Sequence, residues 1–143
     1  MDDFDKSIID ILESDGRASN AEIARKIGVS EGTIRRRLKK LIDNKTISVL
    51  AISDPRQMGH EFEALVGIQV DPGLVEPVAE AITKLTDTKW VSITTGTYDV
   101  FAWVILPTAE ALGKFLRNRI GEIQGVKKTE TFVSLQVVKR ELE

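Results

Sequence analysis

Two short stretches of the chain carry residue types that could do chemistry. Between residues 31 and 45 stand Arg35, Arg36, Arg37, Lys39, Lys40 and Lys45 against only Glu31 and Asp43, a local net of +4 in a chain whose formal net charge is −2. Guanidinium forks pair with guanine O6 and N7, and ammonium groups pair with phosphates, so the run reads either as a solvated helix face or as a footprint for double-stranded DNA. The second stretch is Gly96-Thr97-Tyr98-Asp99. Its carboxylate suits an ammonium group, and its hydroxyls and loop N–H groups suit a carboxylate, the two ends of an α-amino acid. On its own terms it is also an ordinary hairpin loop, with Gly and Asp there for the turn.

Much other chemistry is excluded by composition. There is no cysteine and one histidine, His60, so thiolate catalysis, disulfides and Cys/His metal sites have nothing to draw on, and no metal or cofactor is expected. No nucleophile and base stand at a readable spacing. The longest apolar run, 100–106, is far short of the ~20 residues that span a bilayer, and the first residues are acidic where a signal peptide is basic. The expected location is cytoplasmic, away from membranes.

The elements that must position these residues are helical at first. Phe4, Ile8, Ile11 and Leu12 recur at helical spacing behind Asp2 and Asp3 as caps, and the pattern stops at Asp15-Gly16, with Gly16 expected in the left-handed C-terminal position. Ser19-Asn20-Ala21-Glu22 is a capping box that opens a short second helix. Gly28-Val29-Ser30 ends it, and Ser30 caps a third helix whose apolar residues Ile34, Leu38, Leu41 and Ile42 form one stripe. That stripe turns Gly32, Arg36, Lys39 and Lys40 outward, leaves Thr33 and Arg35 on the shoulders, and puts Arg37 at the packing edge, where a structural ion pair is expected. Ala24 and Gly28, four apart at the junction, give helix-turn-helix spacing, the arrangement that presents the N-terminal end of the following helix to a major groove.

From Ile47 the period becomes two, with Ile47, Val49 and Ala51 alternating as a linking strand, closed by Asp54-Pro55. After a linker come a strand (Phe62 to Val70), a helix (Leu74, Val78, Ile82 and Leu85 inward), strands at 90–95 and 100–106 flanking the Gly96–Asp99 loop, a helix capped by Thr108, and a last strand at 126–138. The order βαββαβ is the ferredoxin-like split-βαβ arrangement. The fold class is therefore α+β, a three-helix winged helix-turn-helix domain followed by a ferredoxin-like domain. The strand 100–106 is apolar on both faces while two helices cover only one, so a second copy of the chain is expected on the other face, making a homodimer.

The run Asp15-Gly16-Arg17-Ala18-Ser19, Ile23-Ala24, Gly28-Val29-Ser30 and Ile34-Arg35-Arg36-Arg37-Leu38, with Gly96-Thr97-Tyr98-Asp99 and Gly125 to Thr131, resembles the Lrp/AsnC family of transcription regulators over nearly the whole chain. The resemblance implies a DNA-binding domain with its linking strand at 1–52, a linker at 53–61, and an effector-binding and oligomerisation domain at 62–143. It implies Ser30, Gly32, Thr33, Arg35, Arg36, Lys39, Lys40 and Lys45 at DNA. It also implies a small-molecule effector, often an amino acid, held by Gly96, Thr97, Tyr98 and Asp99 with Thr129 and Thr131, between dimers that often assemble into octamers. Two departures stand out. Asn44-Lys45 replaces the usual Gly after the third helix, so either Asn44 takes the left-handed conformation or the chain leaves the helix differently. Leu50 replaces the aromatic residue common in the linking strand. Two alternatives belong to the same superfamily, a sirohaem-decarboxylase-like enzyme, for which His60 is the only candidate ligand, and an amino-acid-sensing module without DNA binding.

Overall fold

The computed structural model describes residues 1–139, in two compact units that divide between Ala51 and Ile52. The first holds α1 (Asp3–Ser14), α2 (Asn20–Ile27) and α3 (Glu31–Asp43). Each helix is started by a side chain: Asp2 accepts from the Asp5 N–H, Ser19 from Glu22 and Ser30 from Thr33, with reciprocal capping boxes at the first two. Such caps satisfy backbone donors that no helix turn can reach. Ile8, Ile23, Ala24, Ile34 and Leu41 close the core between the three helices.

Of the two expectations for helix ends, the first needs correction and the second is realised in its other form, a different exit from the helix. Gly16 is not left-handed, because α1 ends through extended Asp15, whose N–H bonds Ile11 O at 2.8 Å. After α3, Asn44 keeps φ −81° and Lys45 takes φ +55°, the only positive φ outside glycine among the described residues. Lys45 N–H bonds Ile42 O and Thr46 N–H bonds Leu41 O, both at 2.9 Å. This is the paired-bond helix end usually built on Gly, built here on lysine.

The linking strand at 47–52 does not form in the single chain. Ile47 packs on the helical core, but Val49, Leu50 and Ile52 are exposed. A strand needs a neighbour about 4.8 Å away to take its N–H and C=O groups. Among the described residues none runs beside this segment.

The second unit holds β1 (Phe62–Val70), α4 (Val75–Thr83), β2 (Thr88–Ile93), β3 (Val100–Leu106), α5 (Ala109–Phe115) with a π-helical turn (Leu116–Ile120), and β4 (Val126–Val133). The sheet order is β2-β3-β1-β4 and every pairing is antiparallel. Val66, Ile68, Val100, Ala102 and Val104 are buried beneath Val78, Ile82, Phe115 and Ile120 of the helices. β2 starts and stops two residues earlier than its alternation suggests. β4 ends at Val133 instead of 138, because its ladder to β1 runs out after the Ser134 N–H to Glu63 O bond.

The other sheet face carries Leu65, Trp90, Phe101, Trp103 and Phe132, with Trp90 opposite Trp103 and Leu65 between Trp103 and Phe132. No helix of this unit packs there, and Trp90 is 52% and Phe132 46% exposed. No helix of the described residues is long and apolar enough to cross a membrane.

Candidate DNA interface and effector loop

The cations of 31–45 divide into paired and unpaired groups. Arg37 reaches back to the first turn of α1, Nη1 standing 2.7 Å from Asp2 Oδ2 and 2.8 Å from Asp5 Oδ1, with its guanidinium 5.4 Å from the Phe4 ring centre. The structural ion pair expected of Arg37 is thus formed. The Asp5 N–H, then Arg37, hold the Asp2 carboxyl below its ordinary pKa. For Asp5 the order is reversed, Arg37 first and the Asp2 N–H second. Arg35 pairs with Glu31 at 2.7 Å and Lys39 with Asp43 at 2.8 Å, exposed pairs one helical turn apart that ionic competitors can open. Arg36, Lys40 and Lys45 have no ion-pair partner among the described residues.

Arg36 and Lys40 are four apart, exposed, and so on one face of α3. Gly32 lies in the same outward direction, and a Cβ there would meet nothing within 4 Å. Ser30 and Thr33 are tied to each other, Oγ to Oγ1 at 2.9 Å, while Ser30 caps the helix. Their hydroxyls therefore fix the start of α3.

The loop between β2 and β3 is pinned to its neighbours. Asp99 Oδ2 accepts the Val70 N–H at 2.8 Å, the Asp99 N–H donates to Ile68 O, and Gln69 Nε2 donates to Thr97 O at 3.1 Å. The Thr94 hydroxyl donates to Tyr98 O and the Thr94 N–H to Asp99 O. Gly96 has φ +100°, a conformation that side chains disfavour. Among the described residues, the N–H groups of Gly96, Thr97 and Tyr98, the Thr97 hydroxyl and the second Asp99 oxygen are left without a protein partner.

Within one chain, the groups that the resemblance assigns to the effector lie apart. The Tyr98 ring turns to the open sheet face. It folds over Gly67, where an added Cβ would come within 2.8 to 3.0 Å of three ring carbons, and it meets Phe101 and Phe132 edge-on at 5.4 and 6.5 Å. Thr129 and Thr131 pair with Ile68 and Val66 and share their helix-covered face, whereas Tyr98 lies on the open one. One chain therefore does not gather these threonines with Tyr98. Sequence reasoning missed Gln69, Gly67 and the two aspartates facing Arg37. A glycine inside a strand of large residues was the available signal for a close approach.

A helix-turn-helix followed by a ferredoxin-like unit with a donor-rich loop defines a class, the one-component regulators that join DNA reading to ligand sensing. Residues 1–42 match the AsnC-type helix-turn-helix domain and residues 63–143 match the Lrp/AsnC ligand binding domain. An uncharacterized HTH-type transcriptional regulator of Pyrococcus furiosus is 38% identical over 140 residues, covering 97% of this chain and 95% of its own. The solved structure of AsnC from Escherichia coli superposes with a TM-score of 0.85 at 28% identity, over 98% of this chain and 95% of that one. A regulator from Neisseria meningitidis, solved with L-Met, shares the fold with a TM-score of 0.86 at 21% identity, over 98% and 93%. The chain belongs to the Lrp/AsnC family of DNA-binding transcription regulators.

Proposed function

We propose that α3 enters the major groove with Arg36 and Arg35 on base edges, Gly32 allowing close approach, and Lys39, Lys40 and Lys45 on phosphates, while Ser30 and Thr33 hold the helix start. The observation that carries this reading is the unpaired Arg36 and Lys40 on the outward face of α3. Residues 1–52 then act as the DNA-binding domain, 53–61 as linker, and 62–143 as the effector and assembly domain. Two copies pair through the open sheet face, and pairs assemble further, up to an octamer. Acting on chromosomal DNA makes the cytoplasm its place of work. The activity is regulation and not catalysis. His60, the only residue behind the enzymatic alternative, lies in a turn with its N–H on Pro55 O.

Arg36→Ala is expected to weaken binding to a selected operator by about 1–3 kcal/mol, the scale of a bidentate base contact. Lys40→Ala should weaken operator and random duplexes alike and lower the salt slope by about 0.9. Wild-type affinity and slope in both variants would remove α3 from the interface.

The loop takes an α-amino acid, its carboxylate on the free N–H groups of 96–98 and its ammonium on the second Asp99 oxygen. Because Asp99 also holds Val70, Asp99→Asn is the cleaner test, since the amide oxygen can still accept that N–H. With L-methionine as the first probe, calorimetry should show binding to the wild type and loss in Asp99→Asn. Equal binding by both would move the pocket elsewhere.

A further inference from the structure

Arg36 and Lys40 share their outward groove with acids. An open groove of about 500 Å³ beside α3 is lined by Met1, Asp2, Asp5, Arg36, Arg37 and Lys40. Two carboxylates at a surface meant for DNA are a conflict, since each repels the backbone that Arg36 and Lys40 attract. The ion pairs resolve it. Arg37 stands against both carboxylates at once, so the charged side chains of the groove, three cations and two anions, sum to +1. Without Arg37 the same five positions sum to zero.

We propose that this groove seats a DNA backbone phosphate on Lys40, beside the base-reading Arg36, and that Arg37 is the residue that makes it an anion site by cancelling Asp2 and Asp5. Arg37 touches no DNA in this role and is a positioning residue. The inference rests on α3 being the DNA-facing helix. It adds that the N-terminal turn of α1 weakens affinity electrostatically while it stabilises the fold as a capping box. Affinity then depends on a balance within one groove and not on the count of basic residues alone.

A simple mechanical clamp and the electrostatic role give opposite signs. Removing either side of the ion pairs breaks a clamp, so Arg37→Gln and the double variant Asp2→Asn/Asp5→Asn should both lower the melting temperature. Asn remains a good N-cap, so the double variant keeps its helix start. On DNA, Arg37→Gln should bind a selected operator and a random duplex about 3- to 10-fold more weakly, with a smaller salt slope. Asp2→Asn/Asp5→Asn should bind both duplexes more tightly than wild type, and the triple variant, with Arg36 and Lys40 left uncancelled, should bind between wild type and the double variant without regaining stability. If the double variant binds more weakly, as Arg37→Gln does, or no differently from wild type, the groove is only a clamp and the proposal fails. A wild-type chain that binds neither duplex would instead overturn the assignment of α3 to DNA.

Discussion

Lys45 sits where backbone sterics favour glycine and where charge favours a cation. A side chain in the left-handed region costs on the order of 1 kcal/mol, and the two hydrogen bonds that end α3 hold it there. Lys45→Gly should therefore raise stability by about 0.5–1 kcal/mol in urea unfolding while lowering DNA affinity and salt slope. A destabilised variant would show that the lysine stem contributes packing that outweighs the strain. The sequence announced a conflict at Asn44-Lys45 but not its resolution, because Asn tolerates the left-handed region better than Lys, and only the register of the last turn puts Lys45 there. Arg37 was legible as a structural cation from its angle on the helix. Its partners were not, because they lie 32 and 35 residues away.

Helix caps and strand pairings decide the elements, and they differ in how local they are. The capping boxes at Asp2 and Ser19 are contained in four residues each; the one at Ser19 was readable directly, and at Asp2 only a cap, shared as a candidate with Asp3, was readable. Their carboxyls, Asp2, Asp5 and Glu22, all titrate below their ordinary values, through backbone N–H donors and, for the aspartates, Arg37. A depressed folded-state pKa adds stability that is full above the ordinary carboxylate range and is lost as pH falls through it and below. Acid titration followed by far-UV circular dichroism should show helix loss over that window, and Asp2→Asn/Asp5→Asn should flatten it. The ends of β2 and β4 and the missing strand at 47–52 were not legible, since each depends on whether a neighbour is present.

Another non-local pairing, Tyr98 over Gly67, ties the Gly96–Asp99 loop to the open sheet face. Gly67→Ala would force a methyl against the ring, and overpacking of this kind costs about 1–3 kcal/mol. Adding Tyr98→Ala should remove most of that cost in a double-mutant cycle measured by urea unfolding. Additive effects would mean that the ring is held by Phe101 and Phe132 alone.

The two units of the molecule differ in what they leave uncovered. The first exposes charge and the second an apolar sheet face, so salt should weaken DNA binding while leaving self-association intact. In sedimentation, the full chain is expected to remain at least dimeric in about 1 M salt. Trp90→Glu, a charge at a half-exposed position on the edge strand of that face, should give monomers that still melt cooperatively. A dimeric Trp90→Glu would place the contact on another surface.

The same face also decides what can be seen with light. Both tryptophans and the only tyrosine, Trp90, Trp103 and Tyr98, belong to the second unit, and the first carries no aromatic residue but Phe4. Indole emission is therefore blind to the helices that read DNA. It should shift to shorter wavelength as protein concentration rises and the tryptophans lose contact with water, giving a dimer dissociation constant without a label. An emission change on adding non-fluorescent DNA would be optical evidence that occupancy of one unit is felt in the other.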